Sequence, residues 1–531
     1  MKRSLLYYAA AAAACLLASL ANAAAPTVRN GGGEDIILQG FHWNSSRNSP
    51  QKWYEVLTRM APAIGQDGFS KIWLPPPWTD QSSWSDPAKG TSGGGEGYFW
   101  HDFDKNSQYG TDAQLKQAVA ALTSAGVQAV YDVVPNHKND KLPATLVRWP
   151  RGYKLWRDDC TAPAQCDEGD PFMNGLADLN TASPEVSPRF MQEFRNLRDN
   201  YAAKGLRFDF VRGYTPERVD LWMKDFNDQA FCVGELWKSP GEYPATDWRN
   251  QASWQDALKD WADRSHCAVF DFALKERLQN GGVADWRHGL NGNPEAAWRQ
   301  TAVTFVDNHD TGYSPGQYGG QHHWALPDPL RNLAYTYILL SPGTPTVYWP
   351  DMYDWGRGDL IRKLIKLRKD AGIKADSPIR FQAQYSGLVA ATEGSRQQVL
   401  LALDSDLSKV PEGFTPVLDA DGQRIRVWLA APATPGAATT LHCDNVRPGP
   451  GQAVFAVGAP LALGAWDPAH AIALQPGTQN RWSGTVSLAT QQSIEWKCLI
   501  RSLSNVNEVY WQGDPNNRVV PGATAESVGS F

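Results

Sequence analysis

An α/β fold, a (β/α)8 barrel carrying a small all-β domain and a C-terminal β-sandwich, is predicted by three features of the 531-residue chain. Eight short apolar runs alternate with helix-period segments up to about residue 371. From there to about 429 the text turns to short strands such as "GLVAATEG" and "QVLLAL". After the Pro/Ala/Thr stretch "APATPGAATT" (431–440), dense strand signals continue to the end.

Taken in order, the strand runs are "DIILQGF" (35–41), "SKIWLPP" (70–76), "VQAVYDVVP" (127–135), "LRFDFV" (206–211), "AFCVGEL" (230–236), "CAVFDF" (267–272), "AVTFVDN" (302–308) and "TPTVYW" (344–349). Helix-period segments fall near 51–65, 112–125, 187–204 and 217–228, and "DLIRKLIKLRKDAGI" (359–373) closes the series. The expected organisation is a leader at 1–23, a barrel over 24–371 with a loop excursion at 137–178, a small β-domain over 372–429, a linker at 430–440 and a sandwich over 441–531.

The leader reads as an export signal: Lys2 and Arg3, an apolar run from Leu5 to Leu20, and the A-x-A site Ala21-Asn22-Ala23. Its apolar run is short for a membrane span, and only alanines precede Cys15, which argues against a lipid anchor there. The mature protein is therefore expected to be secreted, as a monomer. Removal of Cys15 leaves Cys160, Cys166, Cys232, Cys267, Cys443 and Cys498, an even set suited to three disulfides in an oxidising compartment. Connectivity is open at this stage; pairing Cys160 with Cys166 and Cys443 with Cys498 is the most local choice and leaves Cys232 with Cys267.

A formal net charge of −6 gives no electrostatic reason to expect nucleic acid or an anionic membrane as partner. The 23 tryptophans exceed what cores require and suit a neutral, hydroxyl-rich ligand with apolar faces, such as a sugar.

Active sites of such barrels form at the C-terminal ends of the strands. That end receives Asp132, Asn136 and His137 from strand three, Arg207 and Asp209 from strand four, Glu235 from strand five, and Asn308, His309 and Asp310 from strand seven. Any one of these alone reads as a surface salt bridge or a solvated face. Three carboxylates from different strand ends converging on one point instead match the paired carboxyls that cleave glycosidic bonds. Alternation puts Leu206, Phe208 and Phe210 toward the helices and Arg207 and Asp209 inside, where Arg207 is expected to lower the Asp209 pKa while apolar Val233, Leu236 and Trp237 raise that of Glu235.

The segments "DVVPNH", "GLRFDFVRG", "VGELW" and "FVDNHD" resemble, in order, the four short motifs of the α-amylase family of glycoside hydrolases. The wider text, including "LQGFHWN", "GGGEGYFWHDF" and "HGLNGNP", is similar to its bacterial maltotetraose-forming branch. The resemblance implies a retaining hydrolase of α-1,4-glucans, exo-acting and releasing maltotetraose, with Asp209 as nucleophile, Glu235 as acid/base and Asp310 as transition-state stabiliser. It implies sugar contacts from Tyr98, Asp132, His137, Arg207 and His309, and a longer cleft lined by Trp43, Trp84, Glu242, Gln321 and Trp324.

One calcium ion is implied at Asn136, Asp167, Asp170, Asp178 and the carbonyl of Gly213, hard oxygen donors of the kind calcium takes. A second, N-terminal calcium is not expected, because Gly31 stands where relatives carry a His beside Glu34 and Asp35. The C-terminal sandwich resembles a starch-binding module, with Trp466 and Trp511 as stacking platforms and Lys497 and Asn516 as hydrogen-bonding partners. The branch pattern breaks at "NGLAD" (174–178), where Leu176 replaces a carboxylate that would grip the chain end. Alternatives are an endo-acting amylase or transglycosylase of the same family, and, from another class, a non-catalytic starch-binding protein.

Overall fold

The computed structural model describes residues 28–86, 91–139, 169–172, 178–316, 319–407, 410, 413–430, 437–466, 468, 471–488, 493–503, 505, 508–522 and 526–531. The leader, Asp167, Leu176, Cys160 and Cys166 lie outside the described residues, as does most of the excursion.

Each of the eight expected runs forms a strand: β1 Ile37–Gln39, β2 Lys71–Leu74, β3 Gln128–Val133, β4 Ala203–Phe208, β5 Phe231–Gly234, β6 Ala268–Phe270, β7 Ala302–Phe305 and β8 Thr344–Tyr348. They close into a parallel barrel in chain order, with β1 pairing β8. Register sets the later chemistry, because Asp132 of β3, Arg207 of β4 and Val233 of β5 stand at one level.

The helices pack by their apolar stripes. In Val186–Asn200 the buried face runs through Val186, Phe190, Phe194 and Leu197, a 3.6-residue period. Phe208 of β4 meets this helix at Phe194 and the next, Pro216–Asn227, at Trp222, with ring centroids 6.0 and 6.1 Å away. Phe208 thus faces outward as expected. Phe210 does not: β4 ends at Phe208, Phe210 turns into the left-handed region (φ 45°), and its ring meets Phe172 edge-on at 5.1 Å. Alternation holds only while the strand does.

Helix Gly358–Ala371 buries Ile361, Leu364, Ile365 and Arg368 and stops at Gly372, whose φ of 74° and closeness to Ser395 suit glycine alone. The chain then forms a five-stranded antiparallel sheet in the same compact unit as the barrel, Met1–Leu429.

Ala430–Phe531 is a second compact unit. Its two sheets carry Ala437–Asp444 and Ile494–Ser502 as central strands, joined by the Cys443–Cys498 disulfide. The first strand begins at Ala437, inside the segment expected as linker, because Thr439, Leu441 and Cys443 alternate into the core. In the first unit, Cys232 is bonded to Cys267. No helix among the described residues is long and apolar enough to cross a membrane.

Candidate active site

At the C-terminal end of the barrel, Arg207 is fully buried and lies with its guanidinium 4.9 Å from the ring centre of Trp73. It serves three carboxyl groups. One terminal nitrogen reaches Asp132 at 2.9 Å and Asp209 at 2.7 Å; the other pairs with Glu235 at 2.8 Å. The planar fork of arginine permits this, whereas a point-charge ammonium could not.

Asp209 sits one residue past β4, its N–H donating to the Val133 carbonyl (2.9 Å) and its own carbonyl accepting from the Tyr214 hydroxyl (2.8 Å). Its Oδ1 is on Arg207, while Oδ2 stands 4.0 Å from His137 Nε2. Glu235, just past β5, has Oε2 on Arg207 and a buried Oε1 with no hydrogen-bond partner among the described residues. Asp310 presents 23 % of its side chain to solvent, with His309 Nε2 3.3 Å away.

A hydrogen-bond chain fixes the remaining ring orientations. Gln39 Nε2 donates to His309 Nδ1 (2.9 Å), which makes His309 Nε2 the protonated nitrogen; it donates to the Tyr98 hydroxyl (2.7 Å), which donates to Asp132 (2.8 Å). Trp73 Nε1 is a third partner of Asp132, at 3.0 Å. Trp43 lies parallel to Tyr98 and His309, each centroid 5.7 Å away. His137 stacks on Phe172 at 3.9 Å, and burial pushes its pKa down to about 3, so it is neutral.

One cation cannot hold all these carboxyls ionised. Burial pushes Glu235 and Asp132 up to about 7 against the pull of Arg207. Asp310, though partly open to solvent, is held well above the usual range by burial and by the charge of Glu235. Asp209 is also raised, because burial outweighs Arg207, contrary to the lowering expected from sequence. Proton-holding and ionised carboxyls can thus coexist on one guanidinium at neutral pH.

Of the other expected contacts, Trp324 packs parallel to Trp237 and Trp254 at 6.1 and 6.4 Å, and Glu242 is held by Arg212 at 2.9 Å. Gln321 is half-buried. Trp84 opens a short hairpin with 91–93, and its side chain lies outside the described residues. Gln39 and Trp73 were not singled out from sequence; Gln39 alone carried a signal, as the one polar inward residue of an apolar run.

Three expected calcium donors gather. Asn136 Nδ2 donates to Asp178 Oδ1 (3.1 Å), and a Cβ on Gly213 would lie 2.0 Å from Asn136 Oδ1, so only glycine allows this approach. Oxygen donors of the right chemistry therefore converge at Asn136, Asp178 and Gly213. Asp170 differs from expectation: its carboxylate is taken by Arg212 (2.7 Å) and Lys238 (2.8 Å), two cations from the loops after β4 and β5. At the N-terminal position, Asp35 pairs with Lys71 (3.0 Å) and Glu34 with Lys374 (2.6 Å).

In the sandwich, strand register puts Lys497, Leu499 and Trp511 on one face, opposite the core face of Trp496 and Cys498. Trp466 packs against Phe455, Val457 and Leu499 on that same outer face, and Trp511 is 41 % exposed there. Lys497 is paired with Asp514, and Asn516 donates to Glu495 (3.0 Å).

Comparison with known proteins agrees with this architecture. The domain C model of glucan 1,4-alpha-maltotetraohydrolase matches residues 353–413, and a starch binding domain matches 437–530. The glucan 1,4-alpha-maltotetraohydrolase of Stutzerimonas stutzeri is 55% identical over 94% of each chain, and that of Roseateles saccharophilus 54% over 95% of each. Among solved structures, the γ-CGTase of alkalophilic Bacillus clarkii, 14% identical, covers 95% of this chain and 99% of its own at a TM-score of 0.51, a likeness of fold. The chain belongs to the glucan 1,4-alpha-maltotetraohydrolases of the α-amylase family of glycoside hydrolases.

Proposed function

We propose that this enzyme hydrolyses α-1,4-glucosidic bonds of starch with retention of configuration, acting from non-reducing ends to release maltotetraose. The observation that carries the reading is the asymmetric pair on Arg207: Asp209 has Oδ2 free of the guanidinium, and Glu235 has a buried, unpartnered Oε1 with a pKa near 7. Asp209 Oδ2 attacks the anomeric carbon as Glu235 Oε1–H protonates the departing glycosidic oxygen. The covalent sugar ester is then cleaved by water, which gives its proton back to Glu235. Asp310, with neutral His309 beside it, grips sugar hydroxyls and favours the positively charged transition state, while Asp132, Tyr98 and His137 hold the ring.

The experiment is a time course on soluble starch followed by proton NMR. Early product is expected to be maltotetraose in the α-anomeric form; mixed early lengths would remove the exo, four-unit reading, and a β-anomer the retaining one. Leu176 makes product length the more exposed half of this test.

Asn136, Asp178, the Gly213 carbonyl and Asp167 would hold the calcium ion, whose contribution would be structural, a link between the excursion and the nucleophile strand. Exhaustive chelation is expected to lower Tm by on the order of 5–10 °C, the mass-action loss of a ligand bound only to the folded state. An unchanged Tm would discard the site.

The outer face bearing Trp466 and Trp511 is read as the granule-binding surface, with Lys497 and Asn516 at its polar edge. Adsorption to raw starch that survives Trp511→Ala would overturn that. The 1–23 leader is read as directing secretion, because Lys2 and Arg3, the apolar run and Ala21-Asn22-Ala23 have the form of an export signal.

A further inference from the structure

Beyond Asp310 the loop after β7 forms a second feature that the chemistry above does not use. Tyr313 is 50 % exposed, and its ring stacks on His322 at 4.7 Å and 11°. His322 is held in the left-handed region (φ 38°), with Nδ1 2.9 Å from the Gly320 carbonyl oxygen, and Ser314 N–H donates to Gly319 (2.7 Å) across the base of the turn. The pair presents a flat aromatic face toward solvent, the geometry on which an apolar ring face can stack.

The pair borders a groove of about 870 Å³ whose other walls include Trp324, Trp355, Gln279 and Arg357. Continuity with the reaction site is direct. His323 N–H donates to the Asp310 carbonyl (2.9 Å) and Trp324 N–H to that of Thr311 (3.0 Å), while Ser314 Oγ accepts from the Trp43 N–H (3.0 Å). Both the platform and the carboxylate therefore ride on one loop braced against the cleft wall. Aromatic faces with amide and guanidinium groups at the rim suit the alternating C–H faces and hydroxyls of pyranose rings.

We propose that this groove extends the substrate cleft, with the Tyr313–His322 pair carrying a glucose unit of the same α-1,4-glucan chain that is cut between Asp209 and Glu235. The inference deepens the hydrolase reading and rests on it. Stacking adds affinity only for chains long enough to reach the platform, so it selects long glucans over short ones.

The test compares kcat/KM on short-chain amylose with that on maltopentaose. Tyr313→Ala is expected to lower the amylose-to-maltopentaose ratio about three- to tenfold, the worth of one aromatic stack, while Tyr313→Phe keeps the wild-type ratio. A wild-type ratio in the Ala variant, or an equal loss in the Phe variant, would overturn the platform. Wild-type enzyme that cleaves neither substrate would instead overturn the hydrolase reading and this inference with it.

Discussion

Asp209→Asn is expected to abolish starch hydrolysis, with kcat down by on the order of 10⁴-fold or more. The amide is isosteric, keeps an oxygen for Arg207, and changes nothing in the helices that Phe208 packs against. What it removes is the negatively charged Oδ2 that bonds to the anomeric carbon. The fold should survive, because Arg207 keeps an oxygen at position 209 and stays paired with Asp132 and Glu235. Reducing-sugar release by purified variant, with circular dichroism as a check on folding, decides it; residual activity within a hundredfold of wild type would assign the nucleophile elsewhere.

Arg207→Lys is expected to be nearly as damaging although the charge is conserved. Lysine places one ammonium where arginine places two nitrogens on three carboxyls, so Asp209 and Glu235 can no longer be held in fixed relation. Positioning and electrostatic losses of this kind cost ~10²–10³ in kcat. Stability falls as well, because a buried carboxyl loses its partner, an effect of roughly 3–5 kcal/mol where a buried pair is broken outright. Wild-type kcat in a folded Arg207→Lys enzyme would mean that the fork geometry is irrelevant.

Much of this was legible in the sequence because barrel strands are short, apolar and separated by helix-period text. Each of the eight runs became a strand, and the polar residues at their ends, Asp132, Arg207, Asp209 and Glu235, meet where parallel register requires. Readings that depend on local alternation failed where the strand stopped, as Phe210 shows. Side-chain pairings between separate loops, and the balance of burial against charge, left no local trace. Nothing in "DEGDP" announces that Asp170 is held by Arg212 and Lys238, and nothing in "LRFDF" shows that burial outweighs Arg207 at Asp209. Trp73 was invisible for the same reason, since its contact with Asp132 joins two strands.

The central claim is that burial against a single shared cation keeps Glu235 protonated, as the acid, beside an ionisable Asp209. The pH profile of kcat/KM on a soluble maltooligosaccharide tests it most directly, because it reports the free enzyme. Activity requires the protonated Glu235, so the rate is expected to be lost as pH rises through about 7, with log kcat/KM falling tenfold per pH unit above it. Deprotonation of Glu235 in the ordinary carboxylate range would move that limb down near pH 4.5, and a decline already complete by pH 6 would contradict the account.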